Sequence, residues 1–196
     1  MQRIIGLLDR SQNLDYENSL PMREPDEHNR DLMSLQADHP IFERFVRMER
    51  IHVSQLELLY SFKEHVVRNT VLSGDEIHNI FLNLDRVLDM HRRFLIAVER
   101  MYSRPHQDEN LADLFLTWMD SFSIIEPYAS NQANSLRNAM QNYRKLQESV
   151  SSPRSLRLVQ HPDRLSSFLS EPIEHLKRYQ WFLGVSDSNI KIFWSS

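Results

Sequence analysis

The chain has 196 residues, 41% of them hydrophobic and 26% charged, with a formal charge of −4, which bounds one ordinary globular domain large enough for a real core. Only Gly6, Gly74 and Gly184 are glycine and no residue is cysteine, so phosphate-cradling loops, disulfides, thiolate nucleophiles and Cys-based zinc sites are excluded. The acidic balance argues against nucleic acid as a partner, and no run approaches the ~20 apolar residues of a membrane span, so the composition reads as a cytosolic soluble domain.

Residues 1–40 are polar, with Pro21, Pro25 and Pro40 as punctuation, and read as a flexible lead-in. A long helix is expected over 41–69, opened by Pro40 at its first turn and carrying its apolar stripe on Phe42, Phe45/Val46, Val53, Leu56, Leu59/Tyr60, Phe62 and Val66/Val67. A short connection at 70–72 leads into a second long helix over 73–102, so the two should lie antiparallel. Ser73-Gly74-Asp75-Glu76 opens that helix as a capping box. Its stripe, Ile77, Ile80/Phe81, Leu84, Val87/Leu88, Phe94/Leu95, Val98 and Met101/Tyr102, predicts one helix of about 40 Å at roughly 1.5 Å per residue.

After a polar loop at 103–110, Leu111, Leu114/Phe115, Trp118/Met119, Phe122 and Ile125 form an amphipathic helix interrupted by Pro127. The next helix, over 128–149, is expected to bury Tyr128, Ala133, Leu136, Met140, Tyr143 and Leu146. Short helical pieces follow at 156–160 and 164–170. Pro172 then opens a last helix over 173–183, ended by Gly184 at C′. Residues 185–196, with Trp194, show no helical period and read as an irregular tail; Trp118 and Trp181 fall on stripes and are expected in the core.

The nine histidines raise the question of a metal. Glu49 and His52 have the Glu-x-x-His spacing of di-iron bundles, but that chemistry needs a second copy and two further inward glutamates, and neither is present. His52, His65, His78 and His91 recur every 13 residues, yet each step turns a helix face by about 220°, so they cannot share one side of a helix. The expectation is no metal and no cofactor, with His91 a core histidine. The charged run 85–93 reads as a solvated face with i,i+4 pairs, and no serine sits in a glycine-flanked nucleophile turn.

In chain order these segments resemble a Dbl-homology domain, the module of guanine-nucleotide exchange factors for Rho-family GTPases, over about residues 41–183. Phe45 to Leu56 is similar to the family's first block, with Met48-Glu49, His52-Val53 and Leu56 at its characteristic places. Ile80-Phe81-Leu82-Asn83-Leu84, His91-Arg92-Arg93-Phe94-Leu95, Phe115, Phe122, Tyr128 and Asn131 match the second, and Leu169 to Tyr179 the third. The wording looks closest to the fungal polarity exchange factors.

The resemblance implies an all-α, elongated antiparallel helical bundle spanning 41–184, with the family's final helix and its pleckstrin-homology neighbour missing. It implies a GTPase regulator without covalent chemistry: a Rho-family small GTPase (Rho, Rac or Cdc42-like) is bound, its nucleotide-free form stabilised and GDP released. It also implies cytoplasmic, cortical action, with membrane recruitment through other domains. Arg44, Glu49, His52, Glu174, His175 and Arg178 take the GTPase-facing positions. Arg44 stands where the family has its switch-contacting Glu, Glu174-His175 where it has Gln-Arg, and Arg178 where Lys is usual, so exchange is expected to be strongly reduced. A helical adaptor without exchange activity is the alternative.

Overall fold

A computed structural model describes residues 27–103, 111–150 and 152–183, and is helical with no strand among them. The sequence expectations for the tail at 185–196, for Gly184, for Trp194 and for the lead-in before residue 27 lie outside the described residues, as does most of the loop at 103–110. Two compact units divide the chain, residues 1–36 and 37–196. The first is described only as the start of helix α1, and everything below concerns the second.

α1 spans Glu27–Arg68, so it begins well ahead of the expected start and carries Pro40 inside it. A place at the helix start is expected for Pro40, because an interior proline loses a ladder hydrogen bond and crowds the preceding turn. The helix nevertheless continues through it. At its other end, Val71 N donates to Val66 O (3.3 Å) and Thr70 N to Val67 O (3.1 Å), the paired 6→1 and 5→2 bonds of a Schellman motif. Its C′ residue is Thr70, at φ 48°, where glycine is usual.

The expected single helix over 73–102 is two, α2 (Gly74–Phe81) and α3 (Leu84–Tyr102). The capping box is present: Glu76 N donates to Ser73 Oγ at 3.2 Å and Ser73 N to the Glu76 carboxylate at 2.8 Å. The break falls at Leu82, with φ 49° and ψ −137°. Asn83 anchors it, donating through Nδ2 to Ile124 O at 2.8 Å. Periodicity could not reveal this break, because Ile80, Phe81, Leu84, Val87 and Leu88 are all buried and keep helical spacing across it.

α4 (Leu111–Phe122) runs into a 3₁₀ turn, Ser123–Ile125, and α5 (Glu126–Gln141) starts with Pro127 in its first turn. The expected helix over 128–149 divides at Asn142 into α5 and α6 (Tyr143–Glu148). Its buried face is turned from the expected one: Ser135 and Ala139 are inside with Tyr128 and Leu146, whereas Ala133 and Met140 are exposed. Ser135 explains the turn, since its hydroxyl donates to Ile80 O at 2.5 Å and draws that face onto α2. α7 is Pro153–Val159, and α8 is one helix, Pro162–Leu183, with Pro172 buried within it rather than opening it.

Side-chain pairings fix the helix directions. Arg50–Glu99 (2.7 Å), Arg92–Glu57 (3.0 Å) and Lys63–Asp85 join α1 to α3, and the numbers fall on one helix as they rise on the other, so the two are antiparallel as expected. Phe45 meets both Tyr179 and Phe182 while His52 meets His175, so α8 is antiparallel to α1 too. At the centre, the Phe94 ring lies 5.1–6.3 Å from those of Phe45, Phe115, Phe122 and Tyr179, within the range of favourable edge and tilted aromatic contacts. Tyr128 closes α5 onto α8 by donating to Leu169 O at 2.9 Å.

Candidate functional site

The six residues singled out from the sequence all lie on α1 and α8, and the antiparallel packing brings them to one region in two layers. Arg44, Glu174 and Arg178 are exposed, whereas Glu49, His52 and His175 are completely buried. The resemblance expects the buried three at GTPase-facing positions; in the structure their side chains do not reach the surface. Inward positions of α1 step through Phe45, Glu49, His52, Leu56 and Leu59, and those of α8 through Leu165, Leu169, Pro172, His175 and Tyr179. Glu49, His52 and His175 therefore continue the apolar stripes, and that three-and-four spacing was a signal available in the sequence.

In the outer layer, Arg44, Arg47, Met48 and Ile51 of α1 and Arg178 of α8 line a surface groove. The Arg44 guanidinium sits 4.9 Å from the centre of the Trp181 ring, a cation–π contact. Trp181 was expected in the core, but it is 60% exposed and Ile51 53% exposed. Trp181 is drawn outward because its indole covers Arg44 and packs edge-on to Phe182, which takes the inward place against Phe45. Arg178 is held along its own helix by two bonds to Glu171, 2.7 and 3.2 Å, and Glu174 pairs with Lys177 at 2.7 Å. The surface is thus basic and apolar together, with one arginine stacked and another already forked onto a carboxylate.

Beneath it lies a polar network inside the bundle. Glu49 Oε1 is 2.8 Å from His175 Nε2, and the Tyr179 hydroxyl donates to Glu49 Oε2 at 3.1 Å. Burial pushes the Glu49 carboxyl up to about 8, a rise that the His52 and Tyr179 contacts only partly oppose. Burial likewise pulls His52 down to about 4, helped by His175, and His175 down to about 3, helped by Arg178. Near neutral pH the consistent assignment is a carboxylic acid donating to a neutral imidazole. Glu171 behaves oppositely. Its partial burial is outweighed by His52 and the Arg178 guanidinium, which hold it at about 2, as the anion.

His91 of α3 joins this network. Its ring lies 4.3 Å from that of His52, and the His52 and His175 rings stack 3.6 Å apart. A 13-residue spacing keeps His52, His65, His78 and His91 on different faces only along a continuous helix. That separation does not apply here, because His52, His91 and His175 come from three different helices. His78 is exposed, and His65 bonds to Ser149 O at 2.9 Å away from this cluster.

The described residues form an all-α bundle in which the first and last described helices share one face. Residues 41–185 match the RhoGEF domain, and the chain belongs to that family. It is similar to Cell division control protein 24 of Saccharomyces cerevisiae, 26% identical over 139 residues, or 71% of this chain and 16% of that protein. It is also similar to the Rho guanine nucleotide exchange factor scd1 of Schizosaccharomyces pombe, 27% identical over 68% of this chain and 15% of that protein. A mouse phosphatidylinositol 3,4,5-trisphosphate-dependent Rac exchanger 1 protein is 30% identical over 45% of the chain and 6% of its own length. The chain therefore spans less than a fifth of each of these relatives. Among the described residues no helix is long and apolar enough to cross a membrane.

Proposed function

We propose that this domain is a guanine-nucleotide exchange module that docks a Rho-family small GTPase on the outer layer of α1 and α8, with Arg44, Glu174 and Arg178 at the contact. The observation that carries the reading is the family match over 41–185, which includes both helices lining the basic, apolar groove. Exchange of this kind needs no covalent step. A protein that binds the nucleotide-free GTPase better than the loaded form must weaken nucleotide binding by the same factor. Neither Glu49 nor His175 touches the partner; they set the spacing of α1 and α8 from within. Action at the cell cortex follows the same reading, with recruitment supplied by other domains or partners.

Arg44 in place of an acidic switch contact lowers affinity for the GTPase by on the order of 2–4 kcal/mol, about 30- to 1,000-fold. The test is release of a fluorescent GDP analogue from a panel of Rho-family GTPases. Slow acceleration is expected from the native chain and faster release from Arg44→Glu. No acceleration by either protein at tens of micromolar refutes exchange. One observation favours a non-catalytic adaptor as the second reading: Arg178 is already engaged by Glu171. GTPase binding without nucleotide release would decide for it.

A further inference from the structure

We propose that His52, His91 and His175 form a metal site of the zinc class inside the bundle, clipping α1, α3 and α8 together. One ring nitrogen from each histidine lies within 4.8 Å of the other two, and all three residues are fully buried. Among the described residues, both nitrogens of His52, both of His91 and Nδ1 of His175 have no hydrogen-bond partner. Five buried ring nitrogens without partners are unusual, because each unpaired buried polar atom carries a full desolvation penalty. Imidazole nitrogens are the donors a borderline cation such as Zn²⁺ prefers, whereas Mg²⁺ and Ca²⁺ require oxygen shells.

The surroundings supply what metal-bound histidines usually have. A ligating imidazole commonly donates its other N–H to a carboxylate, which fixes the ring and raises its basicity. Glu49 Oε1 lies 2.8 Å from His175 Nε2, leaving Nδ1 to face the metal; a cation on Nδ1 displaces the proton there, so in the loaded state Nε2 becomes the donor and the Glu49 carboxylate the acceptor. Glu171 lies 3.6 Å from His52 Nδ1, just beyond hydrogen-bond reach, leaving Nε2 free. Zn–N bonds of about 2.0–2.1 Å at tetrahedral angles place ligand nitrogens about 3.4 Å apart, so the rings close in by about an ångström. The stacked His52 and His175 rings are parallel to within 3°, and one must turn about its Cβ–Cγ bond for their lone pairs to converge.

The test uses the whole chain, stripped with a chelator, then titrated with Zn²⁺ alone and separately with Co²⁺. The expected results are one equivalent of tightly held Zn²⁺, the intense visible bands of four-coordinate Co²⁺, and a Tm rise of roughly 5–10 °C at zinc near a hundred times Kd. His91→Leu should abolish all three, and His78→Ala, at an exposed position, should leave them unchanged. No stoichiometric uptake, a pale six-coordinate Co²⁺ spectrum, or uptake that follows His78 instead of His91 overturns the site. If His91→Leu fails to fold, the native chain's stoichiometry and Co²⁺ spectrum decide alone.

Discussion

Glu49→Ala and Glu49→Gln together test whether the carboxyl buried between α1 and α8 is a neutral acid or half of an ion pair. In the structure it serves two groups, His175 Nε2 and the Tyr179 hydroxyl, at 2.8 and 3.1 Å. Alanine leaves both buried and unpaired, at about 1–3 kcal/mol each, so a loss of about 4 kcal/mol is expected. Glutamine keeps the shape and both partners, its amide N–H donating to His175 and its carbonyl accepting from Tyr179. If burial holds the carboxyl protonated near pH 7, the amide should cost less than about 1 kcal/mol. The assay is urea unfolding at pH 7 with a chelator present. At a slope near 2 kcal/mol/M, alanine should lower the midpoint by about 2 M and glutamine by under 0.5 M. Equal losses for the two variants would refute the neutral assignment, because only an ionised Glu49 facing a protonated His175 is damaged as much by glutamine as by alanine.

Three further outcomes follow from the packing. Phe94→Ala, which empties the centre of the aromatic cluster, should destabilise the domain by about 3–5 kcal/mol in the same unfolding assay. Thr70→Gly should stabilise it by up to about 1 kcal/mol, seen as a higher midpoint, because a β-branched residue occupies the left-handed C′ position of the Schellman motif at φ 48°. Glu76 is held below its ordinary value of 4.5 by the Ser73 backbone and hydroxyl and by Lys145. Its contribution is therefore fully present above pH 4.5 and is lost as pH falls through the lower folded value. Tm measured from pH 6 downward should fall faster in the native chain than in Glu76→Gln, which keeps the capping box but has no charge to titrate.

Much of the fold was legible because its causes are local. The Ser73–Glu76 box, the stripe of α1 and the tight turn at Thr70 each act over a few residues, and each appears where the pattern put it, including the antiparallel return into α3. Local pattern fails where tertiary contacts override it. Leu82 takes a left-handed φ with neither glycine nor proline to announce it, held by the Asn83 bond to Ile124 O, 41 residues away. Ser135 rotates α5 through one hydrogen bond to a distant carbonyl. The six candidate residues share two helices, but on each helix the phase of the apolar stripe decides which of them is buried. The resemblance places Glu49 and His52 on the GTPase-facing side, although Phe45, Leu56 and Leu59 put them on the inward line. His91 is buried as its place on the α3 stripe predicts, in phase with Leu84, Val87, Leu88 and Phe94.

The Glu49 contacts to His175 and Tyr179 span 126 and 130 positions in the sequence. During synthesis at about 5–20 residues per second, α1 leaves the ribosome roughly 6–25 s before the segment that completes its polar pairing. Through that interval α3 can cover part of α1, but the line through Phe45, Leu56 and Leu59 waits for α8. An uninterrupted apolar seam would be an adhesive surface for other nascent chains. Glu49 and His52, sitting in the middle of it and ionisable while still wet, divide it into two shorter patches until α8 arrives. The same pair that looks expensive in the finished bundle thus interrupts the apolar seam of the unfinished one.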